Sequence, residues 1–351
     1  MTQQNPHFRL WLAGAAAVGL AATGPASAEL VISNWDGYMA PDAIESYTAA
    51  TGNGAELVLH ATNEEIMGKL IASKGKGYDV VFVSSPFAEV LNNLGLAETL
   101  DHAKLPNIAN LYPEAGALKH DPGNSFSVPY AWGTTGLCYR SDKIAETPDS
   151  WMDLLAPAAD VTGKTTMLAT DRWLLGAGFL AKGYSVNETD EAKVAEVRDL
   201  LIDAKKTLLA YDDTTFYAKL VSGEAVLVHA WDGWCNYGIA ENGDIRYVIP
   251  KEGSDLWVDT MVIMKSSENK DAAYAFVNFI LDPKNHGWAA ENILYKVPNK
   301  PAMEGLSADF LDSFPNMKIS PQELIGYEQL RDVGEAQRLY SRTVSEIKAA
   351  Q

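Results

Sequence analysis

Histidine and cysteine are scarce in this chain. Six histidines and two cysteines are spread over 351 residues. No Cys-x-x-Cys occurs and no two histidines stand at metal-ligand spacing, so no zinc or iron site and no cofactor are expected. Phosphate-cradling loops are missing as well. Gly75-Lys-Gly77 precedes a strand-like run rather than a helix, and there is no Walker A loop. A G-x-S-x-G nucleophile elbow is absent. His229 sits in an apolar run and reads as a core histidine rather than a base. Past the first 22 residues no apolar run approaches the length of a membrane span. Positive charge is short too, with 28 Lys and Arg against 46 Asp and Glu. That balance argues against nucleic acid or an anionic membrane as partner. It suits a cationic ligand without requiring one. No internal repeat or low-complexity segment appears.

The first segment is not part of a fold. Arg9 precedes the apolar run Leu10 to Ala22, and Ala26-Ser27-Ala28 has the small-residue spacing of a cleavage site. Residues 1–28 therefore read as a secretory signal peptide, and no Leu-x-x-Cys marks a lipoprotein. In a Gram-negative cell the destination is the periplasm. That compartment permits a disulfide between Cys138 and Cys235, but their spacing does not show whether they meet. An unbridged Cys138 would be a candidate nucleophile.

From Glu29 the pattern alternates strand and helix. Strands are expected at 29–33, 56–60 and 78–84. Helices are expected at 42–50, from an Asn63 cap, and from Pro86. This β-α-β-α-β-α order implies a mostly parallel sheet covered by helices. Sites in such sheets lie beyond the carboxyl ends of strands. Here those ends carry Asn34-Trp35-Asp36-Gly37-Tyr38 and Ser84-Ser85-Pro86-Phe87. The β-rich run 126–139 reads as a crossing into a second lobe. A strand at 165–170 leads to Asp171-Arg172-Trp173, a long helix is expected over 188–209, and Pro283 is expected to end the helix 271–281.

The densest chemistry lies between Ala225 and Asp259. Trp231 adjoins Asp232 at one end, and Trp257 stands near Asp259 at the other. A ring face attracts a cation and a carboxylate adds a charge-assisted hydrogen bond. Two such pairs around the Pro250-Lys-Glu-Gly253 break suggest a cleft for an organic cation. The competing reading leaves the tryptophans in the core and the aspartates solvated.

Several motifs together carry a resemblance. Asn34-Trp-Asp-Gly-Tyr-Met-Ala-Pro41, Tyr78-Asp-Val-Val, Val128-Pro-Tyr-Ala-Trp-Gly-Thr-Thr-Gly136, Pro250-Lys-Glu-Gly253, Trp257-Val-Asp259 and the helix Ala272 to Leu281 before Asp282-Pro283 resemble the bacterial periplasmic spermidine/putrescine-binding proteins of ABC importers. The resemblance implies an α/β, two-lobed periplasmic binding protein type II fold, each lobe a mixed β-sheet flanked by helices. The ligand would lie in the interlobe cleft and the lobes would close on it. Lobe 1 is expected over 29–130 and 255–300, lobe 2 over 131–254 and 301–351. Hinge crossings are then expected near Tyr130–Trp132, Gly253–Trp257 and Pro298–Met303. The implied function is binding of a polyamine, without catalysis, by a monomer that passes it to a membrane permease.

Carried over by position, Trp35, Asp36 and Tyr38 fall on the first cleft loop and Ser84 on the second. Trp231, Trp257, Asp259 and Tyr295 match aromatic and acidic contacts, with Asp259 as the ammonium partner. The chain also departs from the family. At the start of the second-lobe helix the family's acid is replaced by either Asp171 or Trp173. Phe87 stands beside Pro86 where an aromatic is frequent. Leu330, beside Gln329, aligns with a ligand-binding Gln, and Trp234 replaces an acid, with Asp232 nearby. The partner of a second amine is thus open. An aromatic box with fewer acids would suit a quaternary ammonium or guanidino compound. An enzyme using Cys138 on the same fold is a more distant alternative.

Overall fold

The computed structural model describes residues 29–350, and the expected leader at 1–28 lies outside the described residues. In chain order the strands are β1 (Leu30–Asn34), β2 (Ala55–Leu59), β3 (Val80–Ser84), β4 (Val128–Arg140), β5 (Thr165–Met167), β6 (Ala210–Tyr211), β7 (Leu227–Trp231), β8 (Ile245–Val248), β9 (Asp255–Ile263) and β10 (Glu328–Gln329). The order is β2-β1-β3-β9-β4-β7-β5-β6, with β8 on β4 and β10 on β9. β1 runs parallel to β2 and β3, as the alternating pattern demands. All five residues of β3 are buried, which is why it reads as a continuous apolar run. The sheet is nevertheless mixed, because β9 lies antiparallel to both β3 and β4.

β4 joins the two halves. All thirteen of its residues are buried. Its first part pairs with β9, and its last part pairs with β7 and β8. One strand therefore belongs to two sheets, and each sheet gathers its own helices. The helices Ala43–Thr51 and Lys270–Ile280 pack together on the first. Asp171–Ala181, Glu191–Lys205 and Ala336–Ala349 pack together on the second. The fold is α/β and two-lobed.

Two local expectations need correction and a third gains a second role. Thr62, not Asn63, caps the helix Asn63–Ser73, accepting from Glu65 N at 3.2 Å. Asn63 instead turns inward, donating from Nδ2 to Ser84 Oγ at 3.1 Å and accepting from Ser84 N at 2.9 Å. The long second-lobe helix starts only at Glu191, because Asp190 accepts from the N–H groups of Ala192 and Lys193 and so fixes its first turn. Pro283 opens the helix Pro283–Asn292 as well as ending the one before it, a position where its missing N–H costs nothing.

Cys138 on β4 and Cys235 on the helix Asp232–Glu241 form a disulfide across a separation of 97 residues. Both cysteines are fully buried. A loop of that length is expected to contribute about 2–5 kcal/mol. The double variant Cys138→Ser/Cys235→Ser should therefore lower the unfolding free energy by about that amount in urea titrations. A change under about 0.5 kcal/mol would show that the bridge contributes nothing to the fold.

Candidate binding site

Strand alternation builds the site. On β9, Asp255, Trp257 and Asp259 are spaced two apart and so share one face. Across β4, Trp257 is paired with Gly133 and Asp259 with Ala131. Thr135 donates from Oγ1 to Asp255 Oδ1 and is itself paired with Trp231 at the end of β7. Directly paired residues point to the same side of a sheet, so Trp231, Thr135, Asp255, Trp257 and Asp259 lie along one surface. Gly133 makes this possible: a β-carbon there would overlap the Trp257 ring.

Asp259 is the centre of the first-lobe end. Its Oδ2 accepts from Tyr38 Oη at 2.7 Å and its Oδ1 from Ser84 Oγ at 2.6 Å. Ser84 is in turn held by Asn63. Among the described residues no Lys or Arg pairs with this carboxylate; its hydrogen-bond partners are neutral. Desolvation raises its pKa above the usual carboxylate value, opposed by the Ser84 and Tyr38 hydrogen bonds. Burial, followed by the nearby Asp259 charge, pushes the Tyr38 hydroxyl well up, so it remains a donor at neutral pH. Asp259 keeps some exposure. A partly desolvated carboxylate without a protein cation is a strong acceptor for an external one.

Rings cluster around Tyr38, which holds that carboxylate. Trp35 meets Tyr38 edge-on at 5.2 Å and His60 at 5.0 Å. Tyr295 lies 4.8 Å from Trp257 and 6.1 Å from Tyr38. Tyr130, expected at a lobe crossing rather than as a contact, donates to the Tyr38 carbonyl at 2.6 Å and packs on its ring. The start of the helix Asp232–Glu241 comes so close that a β-carbon at Gly233 would overlap Tyr295. Trp173 and Trp231 form a second edge-on pair at 5.3 Å.

The other expected contacts are either committed to protein partners or placed elsewhere; Asp232 lies beside Trp257 at Gly133 but is committed. Asp232 is fully buried and paired with Lys296, also buried; it further accepts from Thr134 and Gly233 N–H groups. Its charge is already neutralised by a protein ammonium, so it has none to offer a ligand. Asp171 is turned to the last helix, accepting from Ser341 Oγ at 2.7 Å, which removes it from the cleft. Trp234 packs on Phe216, Tyr217 and Tyr237 in a second-lobe cluster. Phe87 packs against the first-lobe cluster of Ile66, Val83 and Leu91. Asp36 stands exposed on its loop. Gln329 is taken up by Lys119 N and His120. A cavity of about 270 Å³ lies along Tyr112, Trp132, Lys296 and Met317. Trp132 alternates to the other face of β4 from Gly133, and Glu304 is the one carboxylate in that lining, so this cavity is a poor cation site.

The Asp232–Lys296 pair should be costly to break, because either partner alone is a buried unpaired charge. Lys296→Met is expected to lower the unfolding free energy by about 3–5 kcal/mol. Adding Asp232→Asn to that variant should recover part of the loss, read by urea titration. A single-variant loss under about 1 kcal/mol would contradict the burial argument.

Comparison with known proteins identifies the family. Residues 42–308 match the model of the bacterial extracellular solute-binding proteins. The spermidine/putrescine-binding periplasmic protein of Salmonella typhimurium is 30% identical over 344 residues, covering 97% of each chain. The putrescine/cadaverine-binding protein of Pseudomonas aeruginosa is 30% identical over 331 residues, 89% of this chain and 93% of that one. The crystal structure of the spermidine/putrescine ABC transporter substrate-binding protein of Streptococcus pneumoniae, complexed with calcium and HEPES, superposes with a TM-score of 0.78 at 30% identity. It covers 92% of this chain and 99% of that one. A match over residues 42–308 and 30% identity along nearly the whole length decide the affiliation: the chain belongs to the bacterial extracellular solute-binding protein family.

Proposed function

We propose that this chain binds a polyamine in the cleft between its lobes, in the periplasm, and delivers it to the permease of an ABC importer. The observation that carries this reading is Asp259: a carboxylate held by Tyr38 and Ser84, on the same strand face as Trp257, with Trp35 packed on Tyr38 and Tyr295 on Trp257, and with no Lys or Arg paired to it among the described residues. An ammonium group supplies the missing charge, and the rings pack on methylenes and attract the cation. The names of the relatives point to the same ligand class. The reading is of a non-catalytic monomer whose ligand is held without covalent bonds. A Cys138-dependent enzyme loses its support, because Cys138 is bridged to Cys235. The first 28 residues act as the export signal in this account.

The lobes are proposed to divide along β4 and β9, close to the expected crossings. The last passage falls later than 301. The helix Lys300–Glu304 packs on Pro283–Asn292, whereas Ala336–Ala349 packs on the second-lobe helices. The connection then runs through β10 and Arg331, whose guanidinium pairs with Glu89.

One observation favours a second reading, a quaternary ammonium ligand. The start of the helix Asp171–Ala181 brings Trp173 rather than a carboxylate toward Trp231. Calorimetry with putrescine, spermidine and choline separates the two. Asp259→Asn removes the charge at constant shape and should weaken either amine by about 2–5 kcal/mol. Tighter binding of choline than of any polyamine, or a loss under threefold in Asp259→Asn, would overturn the polyamine reading.

A further inference from the structure

A second carboxylate shares the surface of Asp259. Asp255 is 3% exposed. Its Oδ1 accepts from Thr135 Oγ1, while its Oδ2 has no hydrogen-bond partner. An orphaned buried carboxylate oxygen is costly and rare. Burial pushes this group up to about 6, opposed by Thr135, its own backbone N–H, Trp173 and, more weakly, the Arg172 charge. The Trp173 indole N–H lies close enough to favour the charged form, yet it completes no hydrogen bond. Arg172 does not neutralise Asp255 directly. Its NH1 donates to the Arg331 carbonyl and its NH2 to Asn187 and the Val186 carbonyl. Asp232, the other acid of the region, already has Lys296. Among the described residues Asp255 therefore differs from every other buried acid in having an open acceptor oxygen, and it lies beside the Trp173–Trp231 pair.

Position along β9 gives the spacing. Asp255 and Asp259 are four residues apart on one face, with Trp257 midway. Strand geometry separates their α-carbons by about 13 Å. Standard bond lengths put the terminal nitrogens of a four-carbon diamine about 6 Å apart, and those of a C3–C4 triamine about 11 Å apart. The longer chain matches that spacing with an ammonium at each acid, and the shorter one falls well short of it.

We propose that Asp255 is the distal anion of the cleft and that the site selects linear triamines over diamines, one terminal ammonium on Asp259, the other on Asp255, and the chain crossing Trp257. This rests on the polyamine reading above and adds a residue and a ligand length to it. It also explains how the cleft works without an acid at the start of the helix Asp171–Ala181. The strand supplies the charge that the helix does not.

The test is a cycle between protein charge and ligand charge. Calorimetry is run with putrescine, spermidine and the two monoacetylated spermidines on the unaltered protein, Asp255→Asn and Asp259→Asn. Asp255→Asn keeps an acceptor for Thr135. It should weaken spermidine at least tenfold and putrescine less than threefold. Acetylating the end that meets Asp255 should cost at least tenfold in the unaltered protein and under threefold in Asp255→Asn. Asp259→Asn should weaken both amines. An unchanged spermidine-to-putrescine ratio in Asp255→Asn, or equal acetylation costs in both proteins, would overturn the assignment while leaving the polyamine reading standing. Equal weakening of all ligands with a lowered unfolding midpoint would also overturn it, by making Asp255 a purely structural residue. Failure of the unaltered protein to bind any of the four would overturn the polyamine reading itself.

Discussion

Everything in the site depends on the antiparallel pairing of β4 with β9. The register sets Gly133 against Trp257 and Ala131 against Asp259. A slip of one residue would turn Trp257 and Asp259 to the opposite face and bring Leu256 and Val258 onto the cleft surface. The small residues of β4 are the counterpart of the large ones on β9. Gly133 leaves the volume that Trp257 fills. Because β4 continues into the second sheet, the same register also brings Trp231 into line through Thr135. The pairing that joins the lobes thus arranges the groups that would hold a ligand.

The acids of this region have different fates, and the difference is electrostatic. Asp232 is compensated inside the protein by Lys296. Such a pair holds its surroundings together but has nothing left for a ligand. Asp259 is compensated by two hydroxyl groups, which satisfy its oxygens without cancelling its charge. Asp255 is only half satisfied. Desolvation raises the pKa of the last two, a cost that an arriving cation offsets. Polar satisfaction by neutral donors, rather than by Lys or Arg, is what leaves a surface receptive to positive charge.

Much of this was legible in the sequence. The apolar runs and the breaks between them carried the α/β order of the first lobe, and the motifs around Trp35, Trp257 and Asp259 pointed to the residues from which the candidate site is built. What failed was the distinction between adjacency in sequence and direction in space. Asp232 follows Trp231 directly, but it begins a helix and points to Lys296, a residue 64 positions away. Asp171 and Trp173 both stood open as the replacement for the family's acid, and the last helix captures Asp171 through Ser341. Asn63 looked like a cap because Asn is a good one; the neighbouring Thr62 took that role and freed Asn63 to hold Ser84. Asp255 was overlooked although strand alternation puts it in phase with Trp257 and Asp259. Period-two counting along β9 was the available signal.

The central claim is that Asp259 receives the ammonium group of the ligand while Trp257 covers its chain. A crystal structure of the mature protein with spermidine tests it most directly. The account predicts a terminal nitrogen within hydrogen-bond distance of an Asp259 oxygen, roughly 2.7–3.2 Å, with the methylenes against the Trp257 ring. A ligand seated in the cavity beside Trp132 and Met317, or in the cleft with no nitrogen near Asp259, would contradict it.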